Sequence, residues 1–162
     1  MNQLIGVRFH SIYRFMDMLC LNFGKDIMVV NLDTAHEPAK RFPEFSLHLQ
    51  TQWRFLKDGK ILLGSRDIYH PFSDDVGEDW DYNPHGRDDC ESSVFDVEKR
   101  NLQLLLTDTH VVDASVSSAG DIRIEFSNSI IFEVFIPASY QDEEWRLIDC
   151  AKDEHLIFYD IG

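Results

Sequence analysis

The sequence predicts an α+β fold that is mainly β: antiparallel meanders in two halves, read as a duplication, forming a sandwich or an open barrel with one helix at about 93–106. Three observations predict it. Apolar and polar residues alternate with period two in several short stretches, the signature of half-buried strands. One Asp-Gly pair sits between two such stretches as a hairpin turn. The order of features in the first half recurs in the second.

The elements follow in chain order. From Leu4 to Phe23 the chain is apolar and β-prone, with Leu19, Leu21 and Phe23 alternating with Cys20 and Asn22. Gly24 is expected to break this strand, and Ile27–Leu32 to form a short one of its own. Residues 33–44, with Pro38 and Pro43, read as a loop. Phe45, Leu47 and Leu49 then alternate with Ser46, His48 and Gln50. Arg54–Lys57 and Lys60–Leu63 flank Asp58-Gly59, a pair suited to the positive φ angles of a type I′ turn. Residues 64–92 read as a long loop rich in Gly, Pro and acids, with Phe72, Trp80 and Tyr82 as its aromatics. Ser92 or Ser93 is a candidate helix cap, and Phe95, Leu102, Leu105 and Leu106 fall near helical spacing. A meander follows: strands at Val111–Ser117, Ile122–Phe126 and Ile130–Ile136, the last read as central because it is apolar nearly throughout. Trp145–Ile148 and Leu156–Tyr159 read as a closing pair.

The halves, 4–68 and 111–161, are joined by the acidic loop and the helix within a single domain, 1–162. Leu19–Phe23, Phe45–Leu49, Trp53-Arg54, Ile61–Leu63 and Asp67-Ile68 match Ile122–Phe126, Phe132–Ile136, Trp145-Arg146, Leu156–Phe158 and Asp160-Ile161 in order. In each Trp-Arg pair the indole is expected in the core and the guanidinium at the edge, because strand neighbours point to opposite faces.

Composition bounds the function. A chain of 162 residues with 12 Phe and 3 Trp can bury a core without a disulfide or metal staple. Its net charge is −14, and residues 67–98 hold 11 acidic groups against Arg87 alone. Such a surface repels phosphates, which argues against nucleic acid as a partner, and attracts a basic protein. Cys20, Cys90 and Cys150 are odd in number and far apart, so they read as reduced thiols of a cytoplasmic protein. The N-terminal stretch lacks the pattern of a signal peptide, and no apolar run is long enough for a membrane helix.

No phosphate loop, nucleophile elbow, zinc or EF-hand spacing is present. No cofactor and no catalytic residue is expected. The distinctive segment is 67–91. Asp74, Asp75, Glu78, Asp79, Asp81, Asp88 and Asp89, with Trp80 and Tyr82, read as an anchor-and-rim surface: aromatics give contact area and carboxylates steer a cationic partner. The alternative is a metal site or a small enzyme using His70, His85 and nearby carboxylates, although the spacing fits no defined cation loop. A third possibility is an oligomerisation module pairing through a strand edge.

Phe45–Tyr69, with its Leu47-His48-Leu49-Gln50 strand leading into Trp53-Arg54, and Asp121–Leu147, with Glu133-Val134-Phe135 and Glu144-Trp145-Arg146, resemble a family of small uncharacterised bacterial proteins. Asn128-Ser129 stands where that family has Asn-Gly, Thr51-Gln52 stands where it tends to have Cys-Pro, and Ile136 is an extra residue before Pro137. The resemblance implies a bacterial cytosolic protein and carries over no catalytic residue. The function expected is a non-enzymatic protein-binding domain with an acidic interaction surface, of immunity type by analogy.

Overall fold

A computed structural model describes residues 1–29, 40–83, 93–139 and 142–158. Ten strands form two antiparallel five-stranded sheets: β1 (Phe9–Phe15), β2 (Met18–Val29), β3 (Lys40–Leu49), β4 (Gln52–Lys57), β5 (Lys60–Gly64), β6 (Val111–Val116), β7 (Ile122–Phe126), β8 (Ile131–Phe135), β9 (Trp145–Asp149) and β10 (Glu154–Phe158). The one α-helix among the described residues is α1 (Val94–Leu106). The first sheet runs β1-β2-β3-β9-β10 and the second β5-β4-β8-β7-β6.

The two orders are the same order. Replacing each strand of the first sheet by the one five places later, or earlier, yields the second. Each half builds three strands of one sheet, then crosses and adds two to the other. The chain crosses at Gln50-Thr51, between β3 and β4, and again between β8 and β9. Register keeps the correspondence: Trp53 faces Val134 and Trp145 faces Leu49, while Val134 faces Ile122 and Leu49 faces Leu19. It sets Leu47, rather than Phe45, in the place of Phe132.

Alternation explains which face of each strand is dry. Leu19, Leu21 and Phe23 of β2 and Leu47 and Leu49 of β3 in the first sheet, with Phe55 of β4, Ile124 of β7 and Phe132 of β8 in the second, are almost wholly buried in one core. Phe23 and Phe126, equivalent positions in the two halves, stack on each other with rings 6.4 Å apart and nearly parallel. Trp53 and Trp145 are each 3% exposed, so both indoles are in the core as expected. Their neighbours leave it: Arg54 reaches Glu133 at 2.7 Å and Arg146 reaches Glu143 at 2.6 Å.

The helix closes the core beside β1 and β5. Ser93 caps it by accepting from the Asp96 amide at 3.2 Å. Phe95, Leu102 and Leu106 are buried, with Phe95 edge-on to Trp53. Gln103 acts as a further strand neighbour for the β1 edge: its Oε1 accepts from the Ile12 amide and its Nε2 donates to the His10 carbonyl, both at 3.0 Å. An edge so occupied cannot pair with another chain there.

Three expectations need correcting. Gly24 does not end a strand. It takes φ +84° inside β2, where the pairing register shifts between Phe23 and Asp26, so it forms a bulge and the strand continues to Val29. Pro43 is not in a loop but in β3, opposite Asp26 beside that bulge, where the ladder is irregular and its missing N–H costs little. The 64–92 loop begins with a 3-10 turn, Ser65–Tyr69. The parts of the expected 27–32 strand and 33–44 loop that fall in 30–39 lie outside the described residues. The Asp58-Gly59 turn is as predicted, with φ +51° and +74°.

Candidate functional site

The described part of the acidic segment, residues 70–83, is fastened at both ends. At its start, the Val94 amide donates to the His70 carbonyl at 2.9 Å and Pro71 bridges to Ser93. At its far end Arg14, two residues before the β1–β2 turn, gathers three parts of the chain. Its Nε and Nη2 form a forked pair with both oxygens of Asp96, at 3.0 and 2.7 Å. Nη2 also donates to the Tyr82 carbonyl, and Nη1 to the Met16 carbonyl, both at 2.6 Å. Both side chains of the pair are under a tenth exposed. Burial works to raise the Asp96 pKa, but the Arg14 and Ser93 hydrogen bonds and the Arg14 and Lys99 charges outweigh it and hold the carboxyl below its ordinary value.

Between these fastenings, Asp74, Asp75, Glu78, Asp79 and Asp81 are all exposed. None has a cation within 4 Å among the described residues. Local bonds shape the segment: the Asp75 amide donates to Ser73 Oγ, the Trp80 amide to the Gly77 carbonyl, and the Asn83 amide to Asp81 Oδ1. Trp80 and Tyr82, expected as anchors for a partner, are half-buried. Trp80 Nε1 is enclosed with no acceptor among the described residues. Tyr82 packs against the core and lies edge-on to Tyr69 at 4.8 Å. The exposed aromatic of this segment is Phe72, at 54%. Asp88, Asp89 and His85 lie outside the described residues.

Tyr69 continues the surface into a cleft of about 620 Å³ over the Gln50–Gln52 crossing, between Ile68, Pro137 and the Asp142–Glu144 segment. Among the described residues, Asp17, Asp142, Glu143 and Glu144 line it against the single cation Arg66. Glu143 is already held by Arg146. Burial and the adjacent Asp17 push the Tyr69 phenol above its ordinary pKa, so it remains a neutral donor, 3.4 Å from Asp17. Phe15 and Met16, 66% and 48% exposed, precede Asp17 at the hairpin tip. Folding thus brings carboxylates from two distant stretches, Asp17 and Asp142–Glu144, together beside Tyr69, against which Tyr82 of the acidic segment packs.

A search of protein-family models, curated proteins and solved structures finds no match to this chain.

Sequence reasoning found the acids of the 74–81 stretch but assigned no surface role to Asp17, Asp142 or Glu144, although Glu144 adjoins the Trp145-Arg146 pair. It also missed Arg14, whose partner lies 82 residues away. Among the described residues no three His, Cys, Asp or Glu side chains converge where a metal ion could sit. His70 is exposed, and its Nδ1 lies 3.0 Å from the Pro71 carbonyl. No helix of the described residues is long and apolar enough to cross a membrane.

Proposed function

We propose that this protein is a non-enzymatic binding domain that captures a basic protein on its acidic end. The observation that carries this reading is the set of exposed carboxylates at Asp74, Asp75, Glu78, Asp79 and Asp81, without a paired cation among the described residues and mounted on a stretch held near His70 and at Tyr82. A tethered segment loses less conformational entropy on binding than a free one. Uncompensated like charges raise the rate of encounter with a cationic partner. Phe72, Tyr69, Phe15 and Met16 supply the apolar contact that charge alone lacks. In its specific form the role is of immunity type, the basic partner being a toxin. Membership of the small bacterial family that the sequence resembles, and an origin of the two halves in duplication, belong to the same proposal.

The test compares the protein with the variant carrying Asp74→Asn, Asp75→Asn, Glu78→Gln and Asp79→Asn. Both are immobilised and exposed to extract of the source cells at about 0.02 M and about 0.5 M salt, a range over which screening rises severalfold. The native protein is expected to retain a basic protein at the lower salt and release it at the higher, and the variant to retain none. Retention of the same protein by both forms, or of no basic protein by either, overturns the reading.

A further inference from the structure

The outer face of the first sheet, turned away from the shared core, carries a second cavity that shares no lining residue with the acidic cleft. Since Leu19, Leu21 and Phe23 point inward, Cys20 and Asn22 point outward, as Ser46 does between Phe45 and Leu47. Outward-facing residues of a solvated sheet are exposed, yet Cys20, Asn22 and Ser46 are only 1%, 6% and 5% exposed. Larger side chains stand around them, and Tyr13, Phe42, His48 and Ile148 help enclose about 380 Å³. That volume lies within the range of small-molecule sites.

The floor is a hydrogen-bonded chain whose direction can be worked out. Ser46 Oγ donates its only proton to Asn22 Oδ1 at 2.7 Å, and Asn22 Nδ2 donates to Ser11 Oγ at 2.9 Å. Ser46 therefore has no proton left for His48, whose Nε2 lies 3.0 Å from the same oxygen. His48 must be the donor there, which puts its proton on Nε2 and leaves Nδ1 as an acceptor with no protein partner among the described residues. The same assignment removes His48 as a base for Ser46, so the pair is not poised for nucleophilic chemistry. Burial and the nearby Arg146 keep His48 neutral by lowering its pKa. Burial likewise pushes the Tyr13 phenol up to about 12 and raises the Cys150 thiol, so both are neutral.

Charge narrows the occupant. Among the described residues no lysine or arginine lines the cavity, and Asp153 is at its rim; the nearby Arg146 is already paired with Glu143, so an anion gains little from it and meets one repelling neighbour. A cation fares little better, because the Asp153 side chain is 99% exposed and its attraction is screened by water. We propose that the cavity binds a small, flat, uncharged nitrogen heterocycle, which donates its ring N–H to His48 Nδ1 and covers the half-exposed rings of Tyr13 and Phe42.

Indole and benzofuran test this, having nearly the same shape and differing in the N–H. Each is titrated into the full-length protein while the His48 ring signals are followed by NMR. Indole is expected to shift those signals and to bind at least tenfold more tightly than benzofuran. Ile148→Trp, which fills the cavity from its wall, is expected to abolish both with an unchanged melting temperature. His48→Phe keeps a ring but removes the acceptor, and is expected to make the two ligands equal. Indole that leaves His48 unmoved, equal affinities in the native protein, or an indole preference that survives His48→Phe overturns the proposal.

Discussion

Arg14 holds more of this molecule together than any surface ion pair, and magnitudes show why. Arg54–Glu133 is partly exposed, and pairs of that kind contribute about 0–1 kcal/mol. Arg14–Asp96 is buried and forked, so removing one partner strands the other charge in a dry site. Arg14→Ala is expected to cost about 3–5 kcal/mol, read from the midpoint of urea unfolding. Replacing both partners, Arg14→Met with Asp96→Leu, is expected to recover much of that loss. The pH dependence has a definite sign. Because folding lowers the Asp96 pKa, the pair contributes fully above the ordinary carboxyl value of 3.8 and is lost as pH falls through the lower folded value. The gap in stability between native protein and Arg14→Ala should therefore be constant near neutrality and close in acid; a gap that widens in acid would show that Asp96 is not the group responsible. Nothing in Tyr13-Arg14-Phe15 announces any of this. A strand alternation says which face a side chain takes, but not which distant carboxylate waits there.

At the scale of elements, local chemistry was legible where it decides the outcome by itself. Asp58-Gly59 makes its turn because those residues tolerate positive φ, and Ser93 caps α1 because its hydroxyl supplies an acceptor that the helix end lacks. Gly24 and Pro43 were misread for a related reason: each usually interrupts a strand, but here they sit on paired strands at the register shift between Phe23 and Asp26, with Pro43 opposite Asp26, and the bulge lets a long pair bend and continue. The bulge leaves no room for a side chain. A Cβ on Gly24 would collide with the Glu44 side chain, and φ is +84°. Gly24→Ala is expected to cost about 1–3 kcal/mol, the range for strained backbone. Hydrogen exchange should quicken at Asn22–Asp26 and in the facing stretch of β3 more than in the second sheet. Uniform loss of protection in both sheets would mean that the bulge is not where the strain is held.

At the scale of the whole molecule, the division into two matching halves could be read from the recurrence of Trp-Arg and its flanking strands, whereas the way the halves meet could not. Pattern alone allows each half to close its own sheet. The crossings at Gln50-Thr51 and between β8 and β9 instead send the last two strands of each half into the sheet of the other. The charge behaves alike: the excess of acid between 67 and 98 is plain in the sequence, while the arrival of Asp17 and Glu144 beside it depends on the crossing that opens the cleft. Such interlacing means that neither half owns a finished hydrophobic interior. If the polypeptide is severed between Asn83 and Ser93, each piece alone should give the circular dichroism of a disordered chain, and mixing the two should restore the β spectrum in a single concentration-dependent step. A piece that folds unaided would show instead that its first three strands suffice. Each half thus completes the sheet that the other begins, the arrangement of an interlaced dimer written in one chain.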